Sequence, residues 1–221
     1  MFKSKRRQII TPQSEHLKLV GTLAMLWGNE QFDAPPIERN AMISGMGLHD
    51  RGYGYLDNSP IGGMSDTEWE VIGRRGFDMP SSDIVADTIV KYHIRRLASG
   101  GKSEIRKAMF EDFSKAIDDQ LKQHGLSKEL FDRMDRITDL LDRISFEFCF
   151  DAPANGSISI FSRNGKNEET VVQYHIEDGE ITVSPWTFSV DEHRGYLVAY
   201  QTDGYPERLH PVILPYHLKK K

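Results

Sequence analysis

The chain has 221 residues, 28% of them charged and 38% hydrophobic, with a net charge of -5 and a pI near 5.9. That is a globular composition long enough for one good core, and its acidic balance excludes a protein built to coat nucleic acid. The single cysteine, Cys149, excludes an intrachain disulfide and points to a reducing cytoplasm, and no apolar run approaches the ~20 residues that span a bilayer.

The basic start Lys3-Ser4-Lys5-Arg6-Arg7 precedes only Ile9 and Ile10, too little apolar sequence for a secretory signal. Thr11-Pro12-Gln13-Ser14 predicts a helix start, followed by apolar positions at Leu19, Val20, Leu23, Leu26 and Trp27 and a stop at Gly28-Asn29. A second helix is predicted over 37–48. Residues 51–65 read as a glycine-rich loop, long enough to be functional. Ser81-Ser82-Asp83 caps a helix to about Ala98, closed by Gly100-Gly101. Two more helices follow over about 103–124 and 127–148, the latter with one apolar face from Leu130 through Leu141 to Phe148. Beyond Pro153, alternation predicts strands at 157–161, 171–176 and 181–183, with Asp178-Gly179 as a tight turn, and a further strand at 195–200. Lys219 to Lys221 read as a solvated tail. The expected fold is mostly α: a multi-helix domain over 1–152 with a small antiparallel β extension over 153–221.

His49-Asp50 ends the second helix, where an apolar segment runs into the glycine-rich loop. An imidazole and a carboxylate side by side suit Fe, Mn, Zn or Ni better than the all-oxygen shell of Mg or Ca. Helical spacing puts His16 on the stripe of Leu19, Val20 and Leu23, and His93 on that of Val85, Ile89 and Leu97. Three helices thus each aim a histidine at the core, and a buried imidazole without a partner costs on the order of 1–3 kcal/mol. Any one of the three reads most simply as a satisfied core histidine; together with Asp50 they suggest a shared site. Asp142 is a further candidate on the last helix, with neighbours too mixed for periodicity to decide. Cys149 sits among Phe146, Phe148 and Phe150, where a thiol stays protonated and inert.

The order His16, then His49-Asp50, then Asp142 resembles the His…His-Asp…Asp arrangement of the HD superfamily of metal-dependent phosphohydrolases. The chain is also similar to an uncharacterised bacterial family, a domain of unknown function. That likeness runs through Thr11-Pro12-Gln13-Ser14-Glu15-His16, His49-Asp50-Arg51-Gly52-Tyr53, Tyr92-His93-Ile94, Asp142-Arg143-Ile144-Ser145-Phe146 and Ser184-Pro185-Trp186-Thr187-Phe188. The HD resemblance implies an HD-like helical fold with one or two divalent ions held by His16, His49, Asp50 and Asp142, and extended by His93. Asp50 and Arg51 are then the catalytic candidates, and Arg95, Arg96 and Tyr53 the substrate contacts, with Tyr55 and Trp69 as further pocket walls. Arg51-Gly52-Tyr53 departs from the small apolar residue, glycine and lysine that many HD enzymes carry there.

The expected function is hydrolysis of a phosphate ester or phosphoanhydride on a small phosphorylated molecule, with no nucleic-acid or membrane partner and self-association left open. The alternative is a non-catalytic HD-like protein that binds a metal or ligand as a sensor or structural unit. A di-iron oxygenase stands third, because the paired Glu-x-x-His repeats of that class are missing.

Overall fold

The structure is a computed structural model that describes residues 1–54, 57, 59–166 and 168–220. Two short strands open it, β1 (Phe2–Lys3) and β2 (Ile9–Thr11), followed by the helices α1 (Gln13–Leu26) and α2 (Arg39–Gly47). Then come α3 (Asp66–Asp78), α4 (Ile84–Ser99), α5 (Glu104–His124) and α6 (Lys128–Cys149). The strands β3 (Ala154–Phe161), β4 (Glu169–Glu177), β5 (Glu180–Ser184), β6 (Glu192–Gln201) and β7 (Pro211–Lys220) complete the chain.

Local chemistry explains most helix starts. Asp83 accepts from the backbone of Val85 and Ala86 to cap α4, while Ser103 and Ser127 cap α5 and α6. Gly125, at φ +63°, closes α5 in the left-handed conformation. Helix α3 was not anticipated, although Ser65 and Glu68 form a reciprocal capping box at its start. Gly73 and Gly76 disguise it, since glycine is a poor helix former. Both are needed: a Cβ on Gly73 would lie 2.7 Å from Met109 Cε, and one on Gly76 3.0 Å from the Gly52 nitrogen.

The expectation of a mostly α fold with a small antiparallel extension is overturned. The chain is mixed α/β, with one seven-stranded sheet curled into a half-barrel. Its order is β1-β2-β6-β7-β5-β4-β3, so strands from the first residues share a sheet with the last. The pairing is antiparallel except between β5 and β7. Strands of two and three residues are too short to show periodicity, which hid β1 and β2. In β7 the alternation of Leu214, Tyr216 and Leu218 is broken up by Pro211 and Pro215. Those prolines are tolerated because β5 pairs with β7 only from His217 to Lys220, leaving one side of the strand open before that. Lys219 and Lys220 are therefore sheet residues rather than a tail, and Lys221 lies outside the described residues.

Asp178 (φ 48°) and Gly179 (φ 83°) make the tight β4–β5 turn. The inner face of the sheet buries Val172, Ile181, Val183, Leu197, Ala199 and Leu218 against the helices. The Ser184–Phe188 segment fastens α1 to the sheet: Phe188 bridges to Trp27, and the Gly28 N–H donates to the Thr187 carbonyl at 2.9 Å.

Helices α1, α2, α4 and α6 pack around a common centre through the pairs α1–α2, α2–α4, α1–α6 and α4–α6. Glycines set the spacing. A Cβ on Gly47 would sit 3.4 Å from Gly21 Cα, and one on Gly45 would lie 2.8 Å from Ile89 Cδ1 and 2.9 Å from the Ala86 carbonyl oxygen. Gly45→Ala is expected to destabilise the fold by about 1–3 kcal/mol through overpacking, read as a lower denaturant midpoint at unchanged m-value.

Candidate metal centre

Each of the four helices delivers one part of a buried polar cluster. His16 comes from α1, His49 and Asp50 from the turn that ends α2, His93 from α4, and Asp142 from α6. The three histidines are fully buried and Asp142 is nearly so. His16 Nε2 lies 3.0 Å from His49 Nε2, and Asp142 Oδ1 lies 3.3 and 3.5 Å from those two nitrogens. Asp50 Oδ2 stands 3.8 and 3.7 Å from the same pair, and Asp50 Oδ1 is 2.9 Å from His93 Nε2.

The hydrogen-bond network assigns the imidazole protons. His49 Nδ1 donates to the Met46 carbonyl at 2.7 Å, which leaves Nε2 with a free lone pair. Ser145 Oγ donates its one proton to the His16 carbonyl at 2.9 Å, so it accepts from His16 Nδ1, also at 2.9 Å. His16 Nε2 is therefore unprotonated too. Two neutral imidazoles would bring their lone pairs within 3.0 Å, a contact that only a proton or a cation relieves.

Charge runs the same way. Burial opposes ionisation of the two carboxylates, yet His49 and His93 beside Asp50, and His16 and His49 beside Asp142, hold both below the usual carboxylate range. Burial also opposes a charged His49, but Asp50 and Asp142 raise its pKa above the ordinary value. Burial, the adjacent His49 and Arg96 lower that of His93. Two anionic oxygens and two imidazole lone pairs converging on one point form a donor set that could hold a metal ion. His16, His49 and Asp142 make one such group, and His49, Asp50 and His93 a second that shares His49.

Arg51, the second catalytic candidate, and the predicted substrate contacts fare unevenly. Arg51 donates to Gly76 at 2.6 Å and to Asp87 at 2.7 Å, neither of them a cluster member. Arg95 stacks over the Tyr92 ring, 4.2 Å from its centroid. Arg96 does reach the site, but its guanidinium is bound to Asp135, Asp139 and His93. Tyr53 lines a cleft of about 250 Å³ that opens onto Asp50, His93 and Asp142. Trp69, Ile61 and Phe146 supply its apolar walls, and Arg143 stands at its side. Tyr55 lies outside the described residues. Three larger hollows, of about 340, 530 and 540 Å³, contain none of the cluster residues. Cys149 is buried, and burial raises its thiol pKa well above the ordinary range.

Four participants are not among the site residues expected from the sequence. Ser145 orients His16, the Gln13 amide N–H donates to Asp50 Oδ2, and Asp135 with Asp139 holds Arg96. The signal for the last pair was available, since 135, 139 and 142 recur on one helical face. Ser145→Ala removes the acceptor that fixes the His16 tautomer. It is expected to weaken metal binding by about 10–100-fold, measured by competition with a chromogenic chelator.

Comparison with protein-family models, curated proteins and solved structures finds no match. Among the described residues, no helix is long and apolar enough to cross a membrane.

Proposed function

We propose that the chain is a metal-dependent hydrolase of small phosphate esters or phosphoanhydrides, with an HD-type ligand set, working in the cytoplasm. The observation that carries this reading is the convergence of the buried His16 and His49 Nε2 lone pairs with Asp142 and Asp50, two carboxylates that line an open cleft. His16, His49 and Asp142 would hold the ion, with Asp50 beside them; iron, manganese, zinc or nickel suits those donors. When bound, such an ion supplies a Lewis acid for a phosphoryl oxygen and a source of hydroxide near neutral pH. Gln13 and His93 orient Asp50 from either side, and Ser145 and the Met46 carbonyl orient the imidazoles. Phe146, Trp69 and Ile61 line the cleft, and Arg143, ion-paired with Asp139 but largely exposed, is a cation at the cleft for a substrate anion.

A second reading, a metal- or ligand-binding protein without turnover, is favoured by one observation. Arg96, which lines the cleft, is committed to Asp135 and Asp139, and Arg51 is committed to Asp87 away from it. Metal analysis of the untagged protein, followed by a broad phosphatase screen with Mn and Fe(II), separates the readings. Stoichiometric metal with turnover supports the hydrolase, and stoichiometric metal without turnover supports the binding protein. Metal-replete preparations that retain no ion sink both.

A further inference from the structure

The geometry points to a centre that takes one ion rather than two, with His93 outside the ligand set as a positioning residue for Asp50. This inference rests on the metal-centre reading above and deepens it.

His93 is fully buried between two partners of opposite kind. On one side Arg96 Nη2 lies 2.8 Å from Nδ1. A guanidinium only donates, so His93 Nδ1 offers its lone pair to Arg96. The ring proton is then on Nε2, where it meets Asp50 Oδ1 at 2.9 Å. A ligating imidazole needs a free lone pair, and here neither nitrogen has one. His16 and His49 have the reverse polarity: their Nδ1 atoms donate to Ser145 Oγ and the Met46 carbonyl, and their Nε2 atoms stay open. The same cluster therefore presents two imidazoles as ligands and one as a donor.

Arg96 is not free to leave. Its Nε bonds Asp135 Oδ1 at 3.0 Å and its Nη1 bonds Asp139 Oδ1 at 2.6 Å, which ties α4 to α6 beside the site. With that clamp in place, His93 cannot exchange tautomers to serve a metal. Among the described residues the second group of donors, His49, Asp50 and His93, reuses His49 and depends on the nitrogen that is blocked. A second ion has no donor set of its own.

The test uses the full chain loaded with Zn(II) alone. Metal analysis is expected to give one ion per chain, and X-ray absorption two imidazoles on it. Long-range 1H–15N spectra should show His93 protonated on Nε2, and His16 and His49 on Nδ1. His93→Gln, whose amide can still donate to Asp50, should keep one zinc with a smaller loss of affinity than His49→Gln. Two ions per chain, three imidazoles, a His93 proton on Nδ1, or a His93→Gln protein as empty as His49→Gln overturns the inference while leaving the metal centre intact. A wild-type protein that binds no zinc overturns both.

Discussion

Asp142→Ala is expected to leave a folded protein that no longer retains a metal ion, and under the proposed hydrolase function it should turn over no phosphate ester. Asp142 Oδ1 is within 3.5 Å of both His16 and His49 Nε2, and α6 contributes no other group that near the two nitrogens among the described residues. Without it the two imidazoles face Asp50 alone, a weaker donor set for a divalent cation. Losing an outer partner of a ligand costs about 10–100-fold in affinity, so losing the ligand itself should exceed ~100-fold. Burial opposes the Asp142 charge, but His16 and His49 hold it below the usual carboxylate range, so its loss should cost some stability, offset in part by relief of its repulsion with Asp50. Metal content after dialysis, read beside an unchanged near-ultraviolet circular dichroism spectrum, checks both halves. A variant that keeps a stoichiometric ion would remove Asp142 from the ligand set.

Arg51→Met is expected to act on stability rather than chemistry, costing about 3 kcal/mol while the folded fraction keeps its metal. Arg51 and Asp87 are both nearly buried, with side chains 7% and 8% exposed. Removing one partner of a buried pair strands the other, which is the costly change at such sites. Lys91, 2.8 Å from Asp87, and Gln120, 3.2 Å away, would keep part of that carboxylate satisfied. The Gly76 carbonyl would lose its Arg51 donor. The adjoining backbone is equally constrained, since a Cβ on Gly52 would lie 2.3 Å from the Ile72 carbonyl oxygen. Arg51 and Gly52 thus press the turn that carries His49 and Asp50 onto α3. The Arg51-Gly52 pair has a packing role of its own. Chemical denaturation with metal analysis decides the matter: unchanged stability with retained metal and lost turnover would instead assign Arg51 to the substrate.

The cluster was legible because a histidine on an apolar helical stripe declares its burial. His16 and His93 announce their faces through Leu19, Val20, Ile89 and Leu97. The arginines were not legible. Arg51 and Arg96 could be placed near the site by chain position, but their carboxylate partners, Asp87, Asp135 and Asp139, lie 36 to 43 residues away. A guanidinium that binds substrate and one that ties two helices together look alike until those partners are known. The extent of the sheet was hidden for a different reason. β1 is held by pairing with β2, and β2 by pairing with β6, rather than by any pattern of their own.

The sequence by itself determined which residues would be buried and which were of ligand type: the helix caps, the apolar stripes and the inward His16, His49 and His93. Only the tertiary structure decided what each imidazole does. Proton placement depends on the atom opposite each nitrogen, and Ser145, Met46 and Arg96 are supplied by three different helices. One-dimensional periodicity reports the direction in which a side chain points, not the partner that meets it there.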